Sequence, residues 1–327
     1  MAKEIIACIG AGRMGRGIAH FMAWAGHEIR LLDAKQRSAA EFEMLKREAL
    51  AEVEASLKMV IGLGGFDDTA LPAMMGRIVI QPLTQAAESL HSADIVFEGV
   101  PEVADAKREA FALFDEHAGP EAILASTTSS MLSTFLAEMT RFPERFLNAH
   151  WLNPAFLVPL VEVSPTDHTR EDVLQRLNAF LESTGKVPVV CKASPGFIVS
   201  RIQALAMNEA ARLVEEGVAS AADVDKAIHY GFGLRFAVLG LLEFIDWGGG
   251  DILYYASDYF TKAFNDDRFA APDIVKKNME EGRIGLRTKS GFLDYANMDI
   301  DAYRRERLGA FLNSLQNAGL ARPPAEN

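Results

Sequence analysis

The residues with the most capacity for chemistry lie near the middle of the chain. Ala149-His150-Trp151-Leu152-Asn153-Pro154 is followed by Pro159-Leu160-Val161-Glu162-Val163. A histidine and a glutamate thus stand twelve residues apart, each at the edge of a strand-like run, with a Pro-containing turn between them. Imidazole has a reference pKa of about 6.5, which suits it to taking up a proton near neutral pH. A carboxylate beside it fixes the tautomer and favours the imidazolium that forms. Such a pair can remove the proton of a hydroxyl group. Its plain alternative is a buried, structural His–Glu pair, and the rest of the chain must decide between them.

The elements that position the pair start at the N-terminus. Residues 4–10 (EIIACIG) read as a short strand buried on both faces, as in the middle of a parallel sheet. Gly10-Ala11-Gly12-Arg13-Met14-Gly15 follows at once. A helical pattern over 16–25 is closed by Gly26, and a strand over 28–32 ends in Asp33. This is a βαβ unit with GxGxxG at its first turn and an acidic residue 23 positions after the first glycine. Gly10 permits the tight turn, Gly12 lets a pyrophosphate approach the backbone, and Gly15 lets helix pack on strand. The helix N-terminus, with Arg13 and Met14 in the loop just before it, then faces the pyrophosphate. Asp33 accepts from the ribose hydroxyls of NAD and repels a 2′-phosphate, an exclusion that Lys35 and Arg37 weaken slightly.

Further on, a long amphipathic helix is expected over 38–61, broken by GLGGFDD at 62–68. Strands are predicted at 78–80, 95–98, 122–126, 146–150, 160–163 and 187–191, with helices at 84–90, 104–118 and 170–184. The alternation is that of an α/β fold with a Rossmann-type doubly wound sheet. Gly10, Asp33, Glu98 and the run STTSS at 126–130 fall at strand C-terminal ends, where such sheets bind ligands. Lys192-Ala193-Ser194-Pro195-Gly196 reads as a hinge, and helical patterns follow at 197–216, 221–230, 239–245 and 252–264. The expected domains are a dinucleotide-binding one over 1–191 and an all-helical one over 192–327. Trp247-Gly248-Gly249-Gly250 reads as a flexible turn, and Tyr254, Tyr255, Tyr259 and Phe260 as core or oligomer surface.

Composition bounds the partners. The chain has 327 residues, enough for two domains, and a net charge of −12. That charge argues against nucleic acid or an anionic membrane as the main partner. Cys8 and Cys191 sit in apolar, β-like runs and read as buried thiols, so neither a disulfide framework nor a metal site is expected. The chain runs from Met1-Ala2-Lys3-Glu4 straight into a strand, which reads as the absence of a signal peptide. No uncharged apolar run approaches the roughly 20 residues that span a bilayer. The expectation is a cytoplasmic protein.

Several ordered motifs are similar to those of one family. GAGRMGRGIA at the start, EGVPE at 98–102, STTSS, HWLNP, PLVEV, SPGFIVSR and LRTKSGFLDY together resemble the 3-hydroxyacyl-CoA dehydrogenases, over about residue 5 to Tyr295. The resemblance implies an NAD-binding Rossmann domain, a helical C-terminal domain for substrate binding and pairing into a homodimer, and a role in fatty acid metabolism. It implies that His150 is the catalytic base, Glu162 the carboxylate that holds it and Ser129 the hydroxyl that bonds the substrate oxygen. It places Glu98, Glu102 and Lys107 at the cofactor or its lining, and Asn153 in the histidine turn, near substrate.

The chain also departs from the family pattern. Thr127 stands where the family has asparagine in Asn-Thr-Ser-Ser, and Ser200 replaces the substrate-holding asparagine of Pro-Gly-Phe-Ile-Val-Asn-Arg. GLGGFDD stands where CoA users have lysines. Residues 231–237 (GFGLRFA) are more similar to the relatives that oxidise free hydroxy acids, the gulonate 3-dehydrogenase (lambda-crystallin) and carnitine dehydrogenase group. Arg235 could bind a substrate carboxylate there. The expectation is an NAD-dependent dehydrogenase of a 3-hydroxyacyl-CoA. A free 3-hydroxy acid is the alternative substrate, and a non-catalytic NAD-binding protein the alternative of another kind.

Overall fold

A computed structural model describes residues 4–324. Contacts divide the chain into two compact units, Met1–Ala206 and Met207–Asn327. The sequence places the boundary fifteen residues earlier, after Cys191; the intervening residues pack with the first unit because backbone amides at 198 and 199 bond into its sheet.

The first unit holds one eight-stranded sheet. Its strands are β1 (Ile6–Ile9), β2 (Ile29–Leu32), β3 (Ile78–Gln81), β4 (Ile95–Glu98), β5 (Ile123–Ser126), β6 (Phe146–Trp151), β7 (Leu160–Pro165) and β8 (Val187–Val190). Their order is β3-β2-β1-β4-β5-β6-β7-β8, which reverses direction beside β1 as in doubly wound sheets. Helices α1 (Arg13–Trp24), α2 (Ala39–Gly64), α3 (Leu71–Met75), α4 (Ala86–His91), α5 (Ala104–His117), α6 (Ser133–Ala137) and α7 (Glu171–Ser183) cover its faces. Alternation along β1 sends Ile6 and Cys8 to one core, with Ile18, Leu57 and Leu177, and Ala7 and Ile9 to the other, with Phe111 and Phe146. Each fully buried Ile or Leu contributes roughly 1.5–3 kcal/mol. Cys8 is buried, as expected, and its thiol is pushed far up by that burial; Cys191 is only half-buried, because it follows the last, edge strand.

All strand pairs are parallel but one. β6 and β7 are joined by residues 152–159, too short for a crossover helix, and so pair antiparallel. The register sets His150 directly opposite Glu162. Across an antiparallel pair, opposed residues project from the same face. The spacing read from the sequence thereby becomes a contact.

The second unit is helical. Helix α8 (Val199–Glu215) spans the division; α9 (Ala221–Ala227), α10 (Leu234–Phe236), α11 (Leu241–Gly248), α12 (Gly250–Phe264), α13 (Asp273–Glu280) and α14 (Ile300–Asn317) follow. A π-helical turn, Ile228–Gly233, joins α9 to α10, so GFGLRFA continues a helix. Gly249 is a tight corner between α11 and α12, not a flexible turn. Its φ is +111°, and a Cβ there would lie 2.5 Å from an Asp251 carboxylate oxygen.

The same corner explains the motif near the C-terminus. Asp246 is buried, and its carboxylate accepts from the amides of Phe292 (2.9 Å) and Leu293 (2.8 Å) and from the Tyr295 hydroxyl (3.2 Å). Burial against Asp246 pushes the Tyr295 phenol well above its usual range. A Cβ on Gly291 would fall 2.0 Å from the carboxylate, so glycine is required there. Asp246→Asn turns an NH₂ group toward the main-chain amide of either Phe292 or Leu293, donor against donor. We expect it to lower unfolding free energy by about 3 kcal/mol in urea denaturation, with NAD affinity unchanged.

Candidate active site

The centre of the site is the β6–β7 hairpin. His150 Nδ1 lies 2.7 Å from Glu162 Oε2, and both side chains are buried, at 3% and 0% exposure. A carboxylate oxygen at Nδ1 selects the tautomer that carries its proton there, which leaves Nε2 as the ring atom able to accept one. The other carboxylate oxygen, Oε1, accepts from the amides of Ile198 (2.9 Å) and Val199 (2.8 Å). Glu162 is therefore held on both sides.

These two amides are aimed by an unusual turn. Gly196 has φ +75° and Phe197 φ +46°. The left-handed region costs a residue with a Cβ on the order of 1–2 kcal/mol. The turn is closed by the Phe197 amide on the Ser194 carbonyl (2.9 Å) and the Arg201 amide on that of Gly196 (3.1 Å). Phe197 is buried, and its ring lies 5.5 Å from that of His150, tilted by 32°. The segment read as a hinge is a docked turn, and the SPGF motif acts through its backbone.

Around the ends of β4 and β5 the predicted cofactor residues bond mostly to one another. The Glu98 carboxylate, fully buried, accepts from Lys107 Nζ (3.0 Å), Ser126 Oγ (2.7 Å) and the Val100 amide (2.8 Å). Lys107 is 1% exposed. This pair ties β4, β5 and α5 together and offers the lining no charge of its own. Glu102 accepts from the Ser129 amide (2.7 Å) and the Thr128 hydroxyl (2.6 Å), so it shapes the STTSS loop. Ser129 itself is exposed, and Thr127 is buried. Asn148, one strand over, donates to the Thr128 carbonyl (3.2 Å) and was not singled out from the sequence.

The glycine loop follows its expected roles. A Cβ on Gly10 would lie 2.9 Å from the Gly99 backbone, and one on Gly15 2.0 Å from the Gly10 carbonyl oxygen. A Cβ on Gly12 would meet no protein atom within 4 Å, so the backbone is open on that side. Helix α1 starts at Arg13 with no side-chain cap and no acidic residue in its first turn. The amides at Arg13 and Met14 are thus suited to an anion. Asp33, at the end of β2, is buried beside a cavity of about 200 Å³ that Gly10, Gly12 and Gly99 also line. This arrangement fits a dinucleotide. Arg37 Nε donates to Asp33 at 2.6 Å, a closer engagement than its spacing suggested.

A second cavity, of about 320 Å³, adjoins the histidine turn. Asn153, Ala155 and Phe156 form one wall, and Arg16, Glu52 and Ser56 another. Arg16 also lines the dinucleotide cavity; it donates to the Ala11 carbonyl (3.0 Å) and pairs with Glu52. The sequence reading missed it, because its signal was only one arginine within the GxGxxG helix. Ser200 is half-buried in the first turn of α8, next to Val199. Arg235, in the second unit, is exposed, with its guanidinium carbon 4.7 Å from the Phe244 ring centre.

Comparison with known proteins divides the chain near residue 195, within the docked turn. The family model for 3-hydroxyacyl-CoA dehydrogenase, NAD binding domain, matches residues 5–194, and that for the C-terminal domain matches residues 196–295. The mitochondrial hydroxyacyl-coenzyme A dehydrogenase of Sus scrofa is 34% identical over 299 residues, covering 90% of this chain and 93% of its own. A probable 3-hydroxybutyryl-CoA dehydrogenase of Bacillus subtilis is 32% identical, covering 90% and 97%. The crystal structure of a 3-hydroxyacyl-CoA dehydrogenase from Archaeoglobus fulgidus superposes with a TM-score of 0.75 at 30% identity, over 97% of this chain and all of that one. The protein is an NAD-binding oxidoreductase and belongs to the 3-hydroxyacyl-CoA dehydrogenase family.

Proposed function

We propose that this protein oxidises the 3-hydroxyl of a 3-hydroxyacyl-CoA, such as 3-hydroxybutyryl-CoA, to the ketone, reversibly, with His150 as the general base. The observation that carries the reading is the buried His150–Glu162 pair, with Nδ1 engaged and Nε2 left to act. His150 Nε2 takes the hydroxyl proton, and Glu162 stabilises the imidazolium that results. NAD, when bound, supplies the hydride acceptor. Ser129 and Asn153 steady the substrate oxygen as it becomes a carbonyl. The glycine loop, the start of α1 and Asp33 hold the dinucleotide, while Glu98, Glu102 and Lys107 fix the loops that border it.

The thioester is preferred over a free hydroxy acid because the pig and Bacillus relatives are named for CoA substrates. The test is initial-rate kinetics with NAD on 3-hydroxybutyryl-CoA and on free 3-hydroxybutyrate. A kcat/KM at least a hundredfold higher for the thioester is expected; parity, or preference for the acid, would overturn the reading.

The protein also acts as a homodimer through its helical region, in the cytoplasm. Leu205 and Met207 on α8 and Tyr255 and Tyr259 on α12 are 63–70% exposed in the single chain, which supports an interaction surface there. Two cysteines outside any disulfide suit a reducing compartment.

A further inference from the structure

Lys186, in the bend between α7 and β8, is 3% exposed and makes no ion pair among the described residues. Its ammonium donates to the carbonyls of Ala155 (2.7 Å) and Val158 (2.6 Å). It also lies 4.0 Å from the centre of the Phe21 ring and 4.8 Å from that of Trp151. Burial alone lowers its pKa to about 8. A buried cation without a counter-ion is an expensive arrangement. Methionine would fill the same space between the two rings with no charge to desolvate. Methionine would also leave the carbonyls of Ala155 and Val158 without this donor, so what the lysine adds over an apolar side chain is its hold on that segment.

Both partners belong to one segment, the turn that leaves the histidine strand. Residues 153–158 run from Asn153 through Pro154 to Val158, and the amides of Leu157 and Val158 close on the Pro154 carbonyl at 2.9 and 3.0 Å. The front of this turn, Asn153 to Phe156, walls the 320 Å³ cavity beside α1 and α2. Lys186 holds the same segment at two points, in its middle at Ala155, which itself lines the cavity, and at its end at Val158. Trp151, one of its two aromatic contacts, is the residue next to His150.

We propose that Lys186 is a positioning residue for the acyl substrate, which holds the 153–158 turn so that Asn153 and the cavity wall keep their places. This rests on the acyl-CoA reading for its kinetics, but the positioning itself can be measured without substrate. In Lys186→Met, hydrogen exchange at the Leu157 and Val158 amides should rise at least tenfold, with the amides of Gly10 and Gly99 unchanged. With 3-hydroxybutyryl-CoA, KM should rise at least tenfold while NAD affinity stays within twofold. Lys186→Arg, which keeps charge and donors, should recover most of both losses. Should the methionine variant not fold, Lys186→Gln, with one donor group and no charge, should show the same pattern in weaker form. Unchanged exchange at 157 and 158 in whichever variant folds would overturn the proposal. So would equal shifts in acyl KM and NAD affinity, which are the mark of a general structural role. If the variants show this exchange pattern but the wild-type protein does not turn over the thioester, only the substrate reading falls.

Discussion

His150→Asn should reduce kcat for oxidation of 3-hydroxybutyryl-CoA by about a thousandfold, within the 10²–10⁴-fold range of general bases. Asparagine is chosen because its side-chain amide can occupy the place of Nδ1 and still donate to Glu162, which sits 2.7 Å from that atom in the wild type. The buried carboxylate keeps a partner, and the fold is not asked to hold it alone. What is lost is Nε2, the one ring atom free to take a proton. NAD affinity should stay within twofold, because the glycine loop and Asp33 belong to other elements. Steady-state rates together with a fluorescence titration of NADH decide the matter. Turnover near that of the wild type would remove His150 as the base, and weakened nucleotide binding would mean that the substitution disturbed more than the proton acceptor.

Glu162→Gln is expected to be nearly as severe for activity and worse for stability. Glu162 uses both oxygens as acceptors, Oε2 for His150 and Oε1 for the amides of Ile198 and Val199. A glutamine has one acceptor oxygen and one donor group. If its oxygen serves the main-chain amides, its NH₂ meets Nδ1 and forces the proton to Nε2, the wrong tautomer for a base. If the oxygen serves His150, the NH₂ points at two buried N–H groups. The first arrangement costs the base its tautomer, and the second sets donor against donor. Breaking a fully buried charged network costs about 3–5 kcal/mol. We expect kcat to fall roughly 10³–10⁴-fold, as when a triad carboxylate is replaced by its amide, and the unfolding midpoint in urea to drop clearly. A variant with normal stability and lost activity would restrict Glu162 to the tautomer; one with lost stability and normal activity would make the pair structural, the plain reading of these two residues.

Which parts of this site were legible in the sequence follows from how local each signal is. The βαβ unit was legible because its glycines and Asp33 act within one short stretch of chain. The His150–Glu162 contact was legible because a Pro-containing turn of a few residues allows only a hairpin, and a hairpin of that length aligns the two. All eight strands were found near their predicted places, each being a run of apolar residues between turn signals. The docking of residues 194–199 on Glu162 was not legible. Its donors are backbone amides 36 and 37 positions away, and no side chain announces them. The resemblance places Glu98 and Lys107 at the cofactor or its lining; their bond to each other was not legible, because it depends on α5 folding back over β4. Composition alone reads residues 247–250 as a flexible turn, whereas the φ of Gly249 and its crowded neighbours make a fixed corner.

The turn at 194–199 also constrains how this protein could be rebuilt. A chimera that joined the sheet unit to a foreign helical partner right after Cys191 would leave out the two amides that seat Glu162, and with them the left-handed pair Gly196–Phe197 that aims them. Such a graft would keep its nucleotide crevice and lose a competent base. The recombination point that carries an intact proton acceptor lies beyond Val199, so the residues that look like a linker must travel with the sheet.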